Sequence, residues 1–247
     1  MEAAPGLSVV IPVHNEADNI VALLEETAGA LRGLRFEIVV VDDASADATP
    51  QLLASAQGSI AGLRVVRHRR QAGQSAAVLT GAVHARAPWI ATMDGDGQND
   101  PADIPRLLAV RDAAGSDVPL LVAGRRHKRR DTAFKRLQSR IANGVRARLL
   151  GDDTPDTGCG LKLFPRDVFL TLPHFNHFHR FLPALFIRAG GRVVSQNVGH
   201  RPRRGGASHY GMWGRLAVGL VDMLGVMWLQ RRSVMVEADE NDPKAGD

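Results

Sequence analysis

The first half of the chain alternates between short apolar runs and longer segments whose apolar residues have helical spacing. Leu7–Val13 is almost entirely apolar, as expected for a strand in a sheet that is covered on both faces. The same alternation continues, with strands predicted at Ile38–Val41, Leu63–Arg67, Trp89–Met93 and Leu120–Ala123, and helices over 16–32, 47–57, 74–86 and 101–114. This order predicts an α/β fold with an open, mostly parallel twisted sheet flanked by helices.

The second half of the chain is less regular. Its apolar spacing predicts a basic amphipathic helix over 132–149, a helix over 180–189, a strand at Arg192–Val198 and a C-terminal amphipathic helix over 213–229. A length of 247 residues suits one α/β domain, and we expect residues 1–232 to form it. Residues 233–247 are acidic and poor in apolar residues, so we expect a disordered tail there.

Positive charge is concentrated in two places, although the net charge of the whole chain is only +5. One cluster of arginines and lysines lies within residues 125–148, and a second comprises Arg201, Arg203 and Arg204. Such clusters predict anionic partners, which include nucleotide phosphates, lipid phosphates and nucleic acid.

Several features indicate where the protein works. The single cysteine, Cys159, excludes an intrachain disulfide and suits a reducing compartment. The first residues lack the basic and apolar regions of a secretory signal, and no apolar run reaches the roughly 18 residues of a spanning helix. The helices over 132–149 and 213–229 pair apolar residues with arginine or tryptophan, as helices at a membrane surface do. We therefore expect a cytoplasmic protein attached peripherally to the cytoplasmic face of a membrane, with ordinary packing of either helix as the alternative.

Polar and acidic residues follow three of the predicted strands. His14-Asn15-Glu16 follows the first strand, Asp42-Asp43 the second and Asp94-Gly95-Asp96 the fourth. Ligands of open parallel sheets bind at the carboxyl ends of the strands, so these side chains should meet at one edge of the sheet.

The acidic pair after the fourth predicted strand suggests a metal site. Asp94 and Asp96 are one residue apart, and two carboxylates at a strand end can face one hard cation. Mg²⁺ and Mn²⁺ prefer oxygen ligands and usually share them with substrate phosphates. A solvated acidic turn is the alternative, because such triplets are common.

The residues after the first two predicted strands suggest a nucleoside site. Pro12 sets a rigid turn at the strand end. Asn15, Glu16 and Asp43 offer donors and acceptors that suit a base and a ribose. For Asn15 or Glu16 taken alone, helix capping is the alternative.

These motifs are similar to those of the inverting GT-A glycosyltransferases of family 2, in the branch that transfers sugars to dolichyl or polyprenyl phosphate. The similarity extends over residues 7–232, and its order and spacing are kept throughout. It rests on the segments VVIPVHNE, VVVDDAS, GQSAA, MDGDGQNDP, AGRR, DTGCGLKLF, HRFLP and HRPRRGGASHYG.

The resemblance implies a metal-dependent enzyme and a role for each matching residue. The nucleotide would be held by Pro12, Asn15, Glu16, Asp43, Gly73, Gln74 and Asp94. A Mg²⁺ or Mn²⁺ ion would be bound by Asp94, Asp96 and Gln98. The remaining catalytic and phosphate-binding positions would be Asp156, Arg125, Arg180, Arg203, Arg204, Ser208, His209 and Tyr210. His209 stands where many relatives have lysine, which leaves the charge of this loop at neutral pH open.

The chemistry of a phosphate acceptor agrees with this set of residues. A lipid phosphate is already an anionic nucleophile and needs little help from a general base. Two anionic substrates do need positive charge between them, which Arg125, Arg180, Arg203, Arg204 and His209 could supply. A solvated basic face is the alternative for residues 126–130, and a structural cap is the alternative for Asp156.

Other functions are less consistent with the sequence. A glycosyltransferase acting on a sugar hydroxyl stays open as the alternative within the family. A nucleotidyltransferase needs an early glycine-rich loop, which residues 7–16 lack. A protein that only binds nucleic acid or an anionic membrane would not need acidic residues after three strands, so we expect no nucleic-acid partner. The donor, GDP-mannose or a UDP-sugar, the lipid length and the oligomeric state stay open.

Overall fold

The computed structural model describes residues 4–115, 118–126, 144, 146–202 and 212–232, with only the backbone of residues 212–218. Its strands are β1 Leu7–Val13, β2 Phe36–Asp42, β3 Leu63–Arg67, β4 Trp89–Thr92, β5 Leu120–Arg126, β6 Lys162–Pro165 and β7 Arg192–Val198. Its helices are α1 Ile20–Ala30, α2 Thr49–Gln57, α3 Gln74–His84, α4 Ile104–Ala114, α5 Arg166–Thr171, α6 Leu182–Arg188 and α7 Met212–Arg231. Short 3₁₀ turns lie at Pro101–Asp103 and Phe178–Arg180.

The strands form one twisted sheet in the order β3-β2-β1-β4-β6-β5-β7. Neighbouring strands are parallel except that β6 runs antiparallel to both β4 and β5. The predicted α/β fold with a mostly parallel sheet is therefore confirmed, and β1 has the bounds that its apolar run predicts.

Both faces of the sheet are covered by apolar side chains. Val9 and Ile11 of β1 pack on one face with α1 and α2, whereas Val10 between them packs on the other face with α3 and a group of phenylalanines. This is why β1 contains no polar alternation: side chains on both of its faces are buried.

The bounds of several predicted elements differ from those in the structure. The predicted helix at 16–32 begins only at Ile20, because residues 16–19 form turns at the end of β1. β5 continues three residues beyond Ala123, because Gly124 to Arg126 pair with β7. Strand β6 and helix α5 were not predicted.

The C-terminal helix α7 packs against α6. Buried side chains of the two helices, including Ala184, Met223 and Val226, form a small separate cluster. Arg188 donates to the carbonyl of Leu229 at 2.9 Å. Within the described ranges, no helix has both the length and the hydropathy that crossing a membrane requires.

Two predicted segments are covered only in part. In the predicted helix 132–149, the described residues 144 and 146–149 are helical, and the rest lie outside the described residues. The tail 233–247 lies outside them as well.

Candidate active site

The carboxyl ends of β1 and β2 are joined by hydrogen bonds between their following residues. Asn15 lies in the left-handed region of backbone conformation, with φ 55°. Its backbone amide donates to Ser45 Oγ at 2.9 Å, and its side-chain Oδ1 accepts from the amide of Ala46 at 2.8 Å. His14 Nδ1 donates to the carbonyl of Asp43 at 2.8 Å. These contacts bring the two predicted nucleoside motifs together.

Asp43 is a buried carboxylate held by its neighbours. Its Oδ1 accepts from His68 Nδ1 at 2.7 Å and from the amide of Ala72 at 2.8 Å, and its Oδ2 accepts from the amide of Gly73 at 2.7 Å. Burial raises the pKa of Asp43, but these hydrogen bonds outweigh burial and lower the pKa below its usual value. Asp43 is therefore ionised at neutral pH and can accept a further hydrogen bond.

Glu16 and Asn15 do not cap helix α1 with their side chains. The residue before α1 is Asn19, and it makes no side-chain capping bond. Glu16 is buried, with its Oε2 accepting from Asn19 Nδ2 at 2.8 Å and its amide donating to Thr49 Oγ1 at 3.0 Å. The structure thus places both residues in the turn at the end of β1, where Pro12 also lies.

Asp94 follows β4 and lines a small cavity. Its Oδ1 accepts from Gln74 Nε2 at 2.7 Å, and its amide donates to Asn99 Oδ1 at 3.1 Å. Burial, followed by repulsion from Asp96, raises the pKa of Asp94 to about 6. Gln74 begins α3 directly after Gly73, so one helix end contacts both Asp43 and Asp94.

Asp96 and Gln98 lie in the turn that follows. The amide of Gln98 donates to Asp96 Oδ1 at 3.1 Å, and the carbonyl of Gln98 accepts from the amide of Arg201 at 2.9 Å. The guanidinium of Arg201 pairs with Asp100 at 2.8 Å and with Glu26. Residues 201–202 are therefore held beside the acidic turn. Arg203, Arg204, Ser208, His209 and Tyr210 come next in the chain and lie outside the described residues.

The acidic pair fits a divalent ion that is shared with a substrate. Among the described residues, no group of three His, Cys, Asp or Glu side chains could hold a metal ion alone. Burial, and after it the charge of Asp96, raises the pKa of Asp94, so a cation beside Asp94 would favour its ionised form. Two carboxylates and the side-chain carbonyl oxygen of Gln98 suit Mg²⁺ or Mn²⁺ that completes its coordination with phosphate oxygens and water.

Asp156 forms a two-point ion pair with Arg126. Arg126 Nε and Nη2 each donate to Asp156 at 2.7 Å, and the backbone amide of Arg126 adds a third bond at 3.2 Å. The side chains are only 14% and 11% exposed, and these bonds raise the pKa of Arg126 above its usual value. Asp156 is therefore no helix cap, and Arg126 does not belong to a solvated basic face. Its neighbour Arg125 is exposed.

Sequence reasoning missed three residues that the structure places near Asp94. Lys162 and His179 line one small cavity with Asp94, and Ser75 hydrogen-bonds to His179 Nδ1 at 2.8 Å. Burial and the charges of Lys162 and Arg180 lower the pKa of His179 to about 3, so its imidazole is neutral. Arg180 itself is exposed beside it. For Lys162, the sequence did offer a signal, because this lysine precedes the apolar residues of the run Lys162–Pro165.

The sequence is similar to one glycosyltransferase family and to named sugar transferases. Residues 8–172 match the model of the family Glycosyl transferase family 2. The chain is 34% identical over 233 residues to the dodecaprenyl-phosphate galacturonate synthase of Rhizobium johnstonii, covering 91% of this chain and 67% of that protein. It is 37% identical over 210 residues to the undecaprenyl-phosphate 4-deoxy-4-formamido-L-arabinose transferase of Edwardsiella ictaluri, covering 83% and 63%. The chain thus spans about two thirds of the length of these relatives.

Solved structures share the fold at low sequence identity. The glucosyl-3-phosphoglycerate synthase of Mycobacterium tuberculosis, solved with Mg²⁺ and UDP, aligns with a TM-score of 0.68 at 21% identity, covering 92% of this chain and 79% of that one. The mannosyl-3-phosphoglycerate synthase of Rubrobacter xylanophilus aligns with a TM-score of 0.68 at 16% identity, covering 97% and 79%.

Proposed function

This chain belongs to glycosyl transferase family 2, and on that premise we propose that it transfers a sugar from a nucleotide-sugar donor to a polyprenyl phosphate, with inversion at the sugar carbon. Residues 1–232 form the single catalytic domain in this proposal. The printed names of the two relatives support the polyprenyl-phosphate acceptor. The single observation that carries the donor site is the place of Asp94 and Asp96 just after β4, where Gln74 of α3 donates to Asp94 at 2.7 Å.

The nucleoside of the donor binds at the ends of β1 and β2. Asp43 stays ionised at neutral pH because its hydrogen bonds lower its pKa, so it accepts from the base or from a ribose hydroxyl. Pro12, Asn15, Glu16 and Gly73 shape the surrounding turn. A UDP-sugar and GDP-mannose both stay candidates for the donor.

The diphosphate of the donor binds beside Asp94, Asp96 and Gln98. Asp94, Asp96 and Gln98 would hold a divalent cation, which would supply positive charge to the leaving nucleoside diphosphate. Gln74 orients Asp94 through the 2.7 Å hydrogen bond. The amide of Arg201 donates to the carbonyl of Gln98, and we propose that residues further along the chain, Arg203, Arg204, Ser208, His209 and Tyr210, contact the phosphates.

The acceptor phosphate approaches from the side of Arg126. Its oxygen attacks the sugar carbon directly, so no side chain has to remove a proton. Asp156 fixes the plane of the Arg126 guanidinium, which leaves Arg125 and Arg180, both exposed, to attract the lipid phosphate. Fixed positive charge at this place lets two anions come together without a large rearrangement at the moment of reaction.

The lipid acceptor requires contact with a membrane surface. We propose that the protein attaches peripherally to the cytoplasmic face and that the exposed side of α7 takes part. Four apolar residues on that side are between 49% and 68% exposed: Leu220, Val221, Leu224 and Trp228. Two arginines, Arg231 and Arg232, follow them, as suits an anionic headgroup layer.

A transfer assay tests this function. Purified protein is incubated with radiolabelled UDP- and GDP-sugars, undecaprenyl phosphate and Mn²⁺, and labelled lipid is extracted. We expect labelled lipid from the wild type and its loss in Asp96→Ala, whereas Asp18→Ala, which removes an exposed carboxylate elsewhere, keeps activity. Label appearing only in an added oligosaccharide would favour a hydroxyl acceptor, and equal activity of Asp96→Ala would contradict the proposal.

A further inference from the structure

The loop of residues 156–161 lies in contact with both halves of the candidate site. A Cβ atom placed on Gly160 would clash with the carboxylate of Asp94, and one on Gly158 would lie 3.3 Å from Arg126 Nη2. The loop also carries Asp156, which pairs with Arg126. Its backbone therefore sets the distance between the metal-binding carboxylate and the acceptor-side guanidinium.

Hydrogen bonds to its carbonyl groups hold this loop in place. Thr92 Oγ1 donates to the carbonyl of Gly160 at 2.7 Å, and the amide of Gly124 donates to the carbonyl of Leu161 at 2.9 Å. The carbonyls of Thr157 and Cys159 both accept from a single group, the ammonium of Lys162, the former at 3.2 Å. The part of the loop nearest Asp156 thus depends on Lys162.

Lys162 is an unusual residue for its position. It begins β6, between Thr92 of β4 and Ala123 of β5, and is only 3% exposed. Within the described part of the chain, no carboxylate lies within ion-pair distance of its ammonium. Burial lowers the pKa of Lys162, and the charges of Asp94 and Asp156 only partly oppose this. An apolar side chain would fill a buried strand position at lower cost. The bonds to the loop are what the lysine adds.

We propose that Lys162 is a positioning residue, which holds loop 156–161 through the carbonyls of Thr157 and Cys159 and thereby fixes the Asp156–Arg126 pair on the acceptor side of Asp94. The assignment of an acceptor side rests on the proposed function. The restraint on the loop does not, and it can be measured without any substrate.

Cys159 provides that measurement. It is the only cysteine of the chain and is fully buried within the loop, so its reaction with a thiol reagent under native conditions reports local opening. Lys162→Met keeps most of the apolar stem but removes the ammonium and both of its hydrogen bonds. We expect its labelling rate to rise about tenfold or more, because two bonds from a charged donor are lost. Lys162→Arg, which retains charge and donors, should restore much of the protection.

Arg64→Met is the matched control. Arg64 is a partly buried cation that bonds to Glu37 and to the carbonyl of His84 on the opposite edge of the sheet. We expect this variant to lower the melting temperature while leaving Cys159 labelling unchanged. If Cys159 in Lys162→Met is labelled no faster than in the wild type and in Arg64→Met, Lys162 does not restrain the loop.

Kinetics test the acceptor side separately. We expect Lys162→Met to raise the KM for undecaprenyl phosphate about tenfold, whereas the Mn²⁺-dependent binding of UDP stays within about twofold, and Arg64→Met changes neither. An equal loss of UDP affinity would overturn the assignment to the acceptor side. If the wild type transfers no sugar, the proposed function fails, and the labelling comparison alone decides whether Lys162 restrains the loop.

Discussion

The side-chain amide of Gln74 donates to Asp94 Oδ1 at 2.7 Å. Gln74 is the first residue of α3, and Asp94 is two residues beyond the end of β4. The residue before Gln74, Gly73, donates its amide to Asp43 at 2.7 Å. One helix end therefore sets the separation of the proposed nucleoside-binding and metal-binding carboxylates.

Replacing Gln74 by leucine should shift the pH dependence of activity. The amide favours the ionised form of Asp94, whose pKa burial and Asp96 raise to about 6. Without the amide the pKa of Asp94 rises further, so activity should fall away at a higher pH as the solution is acidified. We expect the acid limb of kcat/KM to move up by about half a pH unit or more.

The pH profile of Gln74→Leu is compared with that of Gln57→Leu, which changes an exposed glutamine at the end of α2. That control should follow the wild type. Superimposable acid limbs for Gln74→Leu and the wild type would mean that the hydrogen bond does not influence the ionisation of Asp94.

Asp94→Asn should stabilise the protein while abolishing metal-dependent binding. The pKa of Asp94 lies at about 6 in the folded state against 3.8 for an unperturbed aspartate, so the folded state binds the proton more tightly. Its contribution to stability is greatest below about pH 4 and is lost as the pH rises towards 6. At pH 7.5 without metal, removing the charge should raise the free energy of unfolding by about 1–3 kcal/mol.

Thermal melts across pH check this stability prediction. The melting temperature of Asp94→Asn should exceed that of the wild type by about 3–6 °C at pH 7.5, and the gap should shrink towards pH 4. Adding Mn²⁺ and UDP should raise the melting temperature of the wild type alone. A less stable Asp94→Asn at pH 7.5 would show that the charge of Asp94 does not destabilise the metal-free protein.

The parts of the fold that follow from local patterns were predictable from the sequence. β1 is almost entirely apolar because both of its faces are buried, so its bounds could be read directly. β6 could not, because it is four residues long and begins with Lys162, and its place between β4 and β5 depends on pairing with distant segments. A strand that short and partly charged has no periodicity of its own.

The same distinction applies to the candidate site. Asp43, Asp94 and Asp96 could be placed together because parallel strands end at one edge. The choice of Arg126 over Arg125 as the partner of Asp156 was not predictable. It depends on which face of β5 meets loop 156–161, and that loop is placed by β6. The proposed phosphate contacts of Arg203, Arg204, Ser208, His209 and Tyr210 stay predictions.

The Arg126–Asp156 pair should be needed for both stability and acceptor binding. Asp156→Asn keeps the shape of the side chain but leaves the guanidinium of Arg126, 14% exposed, without its counter-charge. We expect a loss of about 2 kcal/mol or more in the free energy of unfolding, and a higher KM for the lipid phosphate. Denaturant unfolding and transfer kinetics measure the two effects.

Arg126→Lys and Arg125→Lys form the control pair for this prediction. Lysine cannot make the two parallel bonds of a guanidinium, so Arg126→Lys should lose stability and activity, whereas Arg125→Lys, at an exposed position, should keep full stability. Unchanged stability in Asp156→Asn would contradict a structural role for the pair.

The exposed side of α7 should contribute to membrane binding. Leu224 and Trp228 are 63% and 61% exposed, while Met223 and Val226 on the opposite side are buried against the rest of the protein. Replacing Leu224 by glutamate and Trp228 by serine removes apolar area from the exposed side without touching the packed side. We expect vesicle binding to weaken by at least about tenfold, measured by co-sedimentation with vesicles that contain phosphatidylglycerol.

Val83→Ser, which changes a 53% exposed apolar residue on α3, should bind as the wild type does. Equal weakening in both proteins would mean that general surface hydrophobicity, rather than α7, governs the attachment.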